Sequence, residues 1–350
     1  MARFGVIALT ISFFAAIVMA GAVVPDGLTP DRRQATNNLL AGRFKWTISP
    51  PLVSPVSRAD ELTYSVKDPT VVRYNDSWHL FCTIRGKKRS HQIEYFCFED
   101  WNDAGAAKRY VLKLSEGYFC APQVFYFAPH KKCYLIYQVT DESRKPALQP
   151  AYSTTDDIAD PDSWSKPELL FSKQPDNVTR WIDFWVICDD TRAHLFFTSL
   201  DGRMWRSQTK LAQFPAGWSQ PEVVLQDDIF EAGHVYRLKG LSKFLAIIEA
   251  QADGRRYYKA YVTDELDGDW TPLAATQDKP FAGPANTQHL GERWTDSFSH
   301  GELIRDGFDQ HLAVDPASLR LLFQGVSDQA RAGKQYGEIP WRLGMLTNRW

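Results

Sequence analysis

This sequence predicts an all-β chain folded as a five-bladed β-propeller, and three observations carry that prediction. Short runs of alternating apolar and aromatic residues, punctuated by Asn, Asp, Gly and Pro, replace long amphipathic helices. Those runs recur as a degenerate repeat whose starts lie roughly 50 to 70 residues apart, the size of a four-stranded blade with its loops. Trp101, Trp164, Trp218 and Trp270 each close a Ser/Asp-Trp-like segment where an outer strand would end a blade. A β-sandwich of similar strand count is the alternative.

The first copy runs from Asp68-Pro69-Thr70 to Tyr74, turns at Asn75-Asp76 and returns through Trp78 to Phe81. The second runs from Ala121-Pro122-Gln123 to Tyr126 and returns through Lys132 to Tyr137. The third pairs Ile182-Asp183-Phe184-Trp185-Val186 with Ala193 to Phe197. The fourth pairs Phe230-Glu231-Ala232-Gly233-His234 with Lys243 to Ile248, and the fifth pairs Ser299-His300-Gly301-Glu302 with Arg320 to Gln324.

Ahead of the repeats, Met1-Ala2-Arg3 and the apolar run Phe4 to Met19 lead to Ala20-Gly21-Ala22. This is the pattern of a cleaved signal peptide over residues 1–22, with a single anchor helix as the competing reading. Residues 23–42 read as a polar linker, and residues 43–350 as one propeller domain. The mature protein is expected in the periplasm or the medium, as a monomer free of the membrane. A formal net charge of −2 gives no reason to expect nucleic acid as a partner. Of the five cysteines, Cys82, Cys97, Cys133 and Cys188 lie in apolar strand-like runs and are expected to be small buried hydrophobes; Cys120 is the fifth.

In a propeller the first strand of each blade lines the central channel, so residues at its start converge at one mouth. Asp68, Asp183 and Glu231 sit at such starts, read as equivalent positions of the repeat, where the second copy has Ala121. Carboxylates beside apolar strands are costly to desolvate unless they have partners or a chemical task. Glycoside hydrolysis needs this set: an acid to protonate the leaving oxygen, a carboxylate to activate water or attack carbon, and a third acid to tune the first. Other hydrolase chemistries lack their motifs, since no H-E-x-x-H, G-x-S-x-G or Gly-rich phosphate loop occurs.

The segments Lys67-Asp68-Pro69-Thr70, Ala121-Pro122-Gln123-Val124-Phe125-Tyr126-Phe127-Ala128-Pro129, Phe230-Glu231-Ala232, Ile248-Glu249-Ala250, Ser299-His300-Gly301-Glu302-Leu303 and Pro340-Trp341-Arg342-Leu343-Gly344 together resemble glycoside hydrolase family 62. That resemblance implies an inverting α-L-arabinofuranosidase acting on arabinoxylan-type polysaccharide. It implies Asp68 as general base, Glu231 as general acid and Asp183 as the residue that tunes and orients the acid. Lys67, Gln138, Arg256 and Trp341 become candidate substrate contacts, and His300 a candidate for a structural calcium ion held through waters. Trp341 stands where the family usually has Tyr, and Asp183 is followed by Phe184 where Gln is usual. A family 43-type furanosidase or xylosidase on another glycan and a non-catalytic carbohydrate-binding propeller remain the alternatives.

Overall fold

A computed structural model describes residues 29–350; the expected leader and the first part of the expected linker lie outside them. The described chain forms five sheets arranged as blades. Blade 1 is Thr63–Tyr74, Ser77–Gly86, His91–Phe98 and Arg109–Val111. Blade 2 is Phe119–Phe127, Lys132–Thr140, Leu148–Thr155 and Glu168–Leu169. Blade 3 is Ile182–Cys188, Arg192–Thr198, Arg203–Lys210 and Glu222–Gln226. Blade 4 is His234–Leu238, Phe244–Ala252, Arg255–Thr263 and Thr271–Ala274, with Ala313–Val314 pairing parallel to its first strand.

Blade 5 closes the ring with both ends of the chain. Ser297–Leu303, Arg320–Val326 and Arg342–Asn348 are joined by Trp46–Ile48 from the other end of the domain, antiparallel to the last strand with Thr47 opposite Thr347. Thr287–His289 then adds to the outer edge. Closure of this kind leaves only short edges for unwanted pairing.

The four tryptophans expected to end blades instead lie between the third and fourth strands of blades 1 to 4. Trp101 packs on Phe98, Trp164 on Phe81, Trp218 on Phe214 and Trp270 on Phe196, with ring centroids 5.0–6.1 Å apart. Buried aromatic and aliphatic side chains fill the spaces between sheets, each contributing about 1.5–3 kcal/mol when withdrawn fully from water.

Along the axis the first strands are tied by buried polar groups. Gln123 donates to the Val186 carbonyl and accepts from its N–H, both at 2.7 Å. Arg305 donates to the carbonyls of Val71 and Val124 at 2.8 Å and pairs with Glu302 at 2.5 Å. The following segment crosses the far end of the channel. Carbonyls of Phe308, Gln310 and Leu312 accept the N–H groups of Tyr126, Cys188 and Arg237 in blades 2, 3 and 4. One end of the channel is thus crossed by chain, and the starts of the first strands lie at the other.

Two further expectations need correction. The segment read as a linker contains an α-helix over Pro30–Leu40, with Thr29 as N-cap and Pro30 in its first turn, burying Ala35, Thr36 and Leu39. Three buried positions in eleven leave too faint a stripe for a periodicity reading to detect. Cys97 is exposed, because strand alternation turns it outward between buried Phe96 and Phe98. Cys82, Cys120 and Cys188 are buried, Cys133 is half-buried, and no disulfide forms among the described residues. No described helix is long and apolar enough to cross a membrane.

Candidate active site

The mouth where the first strands start is one backbone device repeated around the ring. The ladder between first and second strands breaks at Lys67/Thr70, Cys120/Gln123, Ile182/Trp185 and Ser299/Gly301. Blade 4 has the matching point just before His234. Asp68, Ala121, Asp183 and Ala232 adopt left-handed backbone there, with φ of 47°, 51°, 58° and 53°. An L-residue in that region costs about 1–2 kcal/mol, so the surroundings must hold it.

They do so through a collar in which each blade caps the next. The Ala121 N–H donates to Thr83 Oγ1 at 2.9 Å, and the Asp183 N–H to Gln138 Oε1 at 3.2 Å. The Ala232 N–H donates to Asp183 Oδ2 at 3.1 Å, and the His300 N–H to Glu249 Oε2 at 2.8 Å. The Asp68 N–H donates to Gln324 Oε1 at 2.8 Å and closes the circle. Four of the five acceptors occupy one register position on the second strands: Thr83 opposite Lys67, Gln138 opposite Cys120, Gln324 opposite Ser299, and Glu249 bonded to the Glu231 carbonyl. Thr198, at that position in blade 3, is replaced in the collar by Asp183.

The collar corrects the equivalence drawn from sequence. Asp68 and Asp183 do match, but Glu231 lies one residue earlier, in the place of Lys67, and Ala232 and His300 complete the ring. The shift of one residue matters because successive side chains in extended chain point to opposite sides. Alignment of entry segments could not register a bulge.

Asp68, Asp183 and Glu231 are all at least nine-tenths buried. Burial opposes ionisation of Asp68, but Lys67, His300 and a hydrogen bond from Thr83 outweigh it and hold the carboxyl below its usual range. Asp183 goes the other way. Burial, then the negative charges of Glu231, Asp68 and Glu249, push it well above the carboxylate range against the single Ala232 N–H. His300 Nδ1 faces both, 3.5 Å from Asp68 and 3.7 Å from Asp183.

Each further candidate has a definite place. Lys67 is buried beside Asp68, and its ammonium lies 5.2 Å from the Tyr336 ring centroid. Arg256 Nη1 reaches Glu231 Oε1 at 2.5 Å, Glu249 Oε1 at 2.7 Å and Ser299 Oγ at 3.1 Å. Gln138, expected to contact substrate, instead spends its amide on the Asp183 N–H, the Tyr118 hydroxyl and Cys120 Sγ. Trp341 is 3% exposed and carries the Arg256 guanidinium 5.7 Å from its ring centroid, so that face stacks on a cation. Tyr336, five residues earlier, is exposed and lies over both Lys67 and Arg256.

Sequence reasoning missed Tyr118 and Tyr336 and gave Glu249, Ser299 and Gln324 no role. The strand register was the available signal, because it sets Glu249 and Gln324 beside residues already suspected. Cavity size would have misled: an opening of about 910 Å³ lined by Arg43, Trp46, Lys279 and Trp350 touches none of the acids.

A propeller whose one mouth gathers three buried acids, one carboxyl held below its usual range and one pushed well above it, defines a glycoside hydrolase scaffold. Glycosyl hydrolase family 62 matches residues 45–347, and the chain belongs to this family. Alpha-L-arabinofuranosidase C of Cellvibrio japonicus (strain Ueda107) is 40% identical over 315 residues, 88% of this chain and 47% of that protein. The chain thus spans about half the length of that curated relative. The catalytic domain of a Coprinopsis cinerea GH62 α-L-arabinofuranosidase superposes with a TM-score of 0.82 at 38% identity, covering 88% of this chain and 98% of that one. A GH62 hydrolase in complex with xylotriose gives 0.80 at 39% identity, covering 87% and 97%. A thermostable family-43 glycoside hydrolase, at 13% identity and a TM-score of 0.55, shares the fold alone.

Proposed function

We propose that this chain is an exported α-L-arabinofuranosidase that removes arabinofuranose side groups from arabinoxylan-type polysaccharide with inversion. The observation that carries the reading is the contrast at the mouth: a buried Asp68 carboxyl held below its usual range by Lys67 and a buried Asp183 pushed well above it, with Glu231 beside them. Asp68, as general base, takes a proton from the water that attacks the anomeric carbon. Glu231, as general acid, passes its proton to the departing xylan oxygen, and Asp183 lies beside that acid to orient it.

Inversion requires room for the water between base and acid. Asp68 and Glu231 are linked through Arg256, Ser299 and Gln324. The relative's activity and the xylotriose complex support the sugar and the backbone polymer. Lys67 and Tyr336 form the rim where the substrate would enter. For the calcium ion, the fit is limited: among the described residues no three His, Cys, Asp or Glu side chains converge as metal ligands. His300 offers a nitrogen to an ion that prefers oxygen, so calcium would be a water-held guest, and no step passes through it.

Incubation of the mature protein and Glu231→Gln with wheat arabinoxylan, read by chromatography, tests the assignment. Free arabinose from the wild type and about 10²- to 10³-fold less from the variant is the expected result. No sugar from a folded wild type removes the arabinofuranosidase reading. NMR of the first-formed anomer tests inversion.

A further inference from the structure

We propose that the Glu249 carboxylate is a positioning device that anchors Arg256 and thereby holds the proton donor Glu231 in place relative to Asp68. The inference rests on the roles proposed above for those two acids. Glu249 is wholly buried, so it is a positioning residue and not one that meets the sugar.

The collar shows that a carboxylate is more than the capping task at this position requires. At the same register position blades 1, 2 and 5 place Thr83, Gln138 and Gln324, and each of these neutral groups caps the next blade's N–H. At that register position blade 4 alone places a carboxylate, which accepts the His300 N–H at 2.8 Å and the Ser299 hydroxyl at 2.7 Å; in blade 3 the capping carboxylate, Asp183, comes from the first strand. Its second oxygen has a different partner, Arg256 Nη1 at 2.7 Å. A buried ion pair is a poor way to gain stability, because desolvation offsets most of the attraction. The charge is therefore explained by what it holds.

What it holds is the donor. Arg256 Nη1 also meets Glu231 Oε1, so one guanidinium nitrogen is shared between two carboxylates. The backbone reinforces this, since the Glu249 N–H donates to the Glu231 carbonyl and the Phe230 N–H to the Glu249 carbonyl. Arg256 and Glu249 both bond Ser299, which accepts from Gln324 at 3.0 Å; Gln324 in turn caps Asp68. With the Glu249 charge gone, Arg256 has Glu231 as its one anionic partner and is free to draw that carboxyl out of line.

The test is Glu249→Gln, which installs the residue that blades 2 and 5 already use for capping. With an arabinose-substituted xylotriose, kcat should fall about 100-fold while KM and the calorimetric Kd stay within about twofold. The melting temperature should stay near that of the wild type, and a crystal structure of the variant should show Arg256 and the Glu231 carboxyl displaced. Unchanged kcat, or a raised KM with kcat retained, overturns the proposal. So does a kcat loss that tracks unfolding with Arg256 still in place. A wild type that cleaves nothing indicts the substrate assignment instead. In that event the crystal structure decides alone: displaced Arg256 and Glu231 support positioning, and unmoved ones overturn it.

Discussion

Blades 1 and 3 present the same residue on the same backbone and obtain opposite chemistry from it. Asp68 and Asp183 both sit at a left-handed bulge, both have their N–H capped by a glutamine of the preceding blade, and both face His300 Nδ1. The Asp68 carboxyl is nevertheless held below its usual range and that of Asp183 pushed well above it. One position upstream, blade 1 has Lys67 and blade 3 has Ile182. Asp68 gains a buried cation; Asp183 gains none and lies among Glu231, Asp68 and Glu249. The fold supplies five similar positions, and the neighbouring side chain decides what each one does.

Neutralising the two aspartates breaks the comparison most strongly. Asp68→Asn and Asp183→Asn should each lower kcat on arabinoxylan by about 10²- to 10⁴-fold, yet their stabilities should move apart. Asp68, with a depressed pKa, contributes stability that is present above the ordinary 3.8 and lost as pH falls through the folded value. Its loss should lower the melting temperature at pH 7. Asp183, with a raised pKa, contributes stability at low pH that is lost as pH rises from 3.8 toward the folded value. At pH 7 it is a burden, and Asp183→Asn should melt higher than wild type while the amide oxygen still accepts the Ala232 N–H. Melting curves at pH 7 that shift in the same direction for both variants would mean that the surroundings do not set the pair apart.

Lys67→Met sharpens the comparison by giving blade 1 the apolar neighbour of blade 3. Of the groups that lower the Asp68 pKa, Lys67 is the largest, so its removal lets burial dominate and the pKa rises. The acid limb of the kcat/KM profile should then move to higher pH, with activity at pH 7 reduced about tenfold or more. An acid limb that stays in place would assign the low pKa to His300 and Thr83.

The fold was legible because propeller blades repeat: five entry strands, the turn at Asn75-Asp76, and a tryptophan ahead of the outer strand in four blades are all local patterns. The identities of the three acids were legible for the same reason. Their register was not, since a bulge changes which residue faces the mouth without changing the residue types around it; Glu231 and Ala232 could not be told apart in this respect. The family resemblance offers Gln138 and Trp341 as sugar contacts through their polar and aromatic character. Those properties serve the Asp183 N–H and the Arg256 guanidinium instead, partners more than 40 residues away in Gln138's case and on another blade in Trp341's. Such long-range pairings leave no local trace.

The smallest effect tests the backbone device itself, at the one collar position in blades 1 to 3 without an acid. Ala121 holds φ at 51° with its N–H on Thr83, and its buried methyl carries no charge. Ala121→Gly removes the steric cost of about 1–2 kcal/mol for an L-residue in that region. It returns about 0.4–1 kcal/mol through the freer unfolded chain. The net expectation is a gain of about 0.5 kcal/mol in urea unfolding, with kcat and KM unchanged. A loss of stability would mean that the methyl packs more than the backbone strains. A loss of activity at unchanged stability would mean that the left-handed bulge of blade 2 shapes the sugar pocket as directly as those of blades 1 and 3.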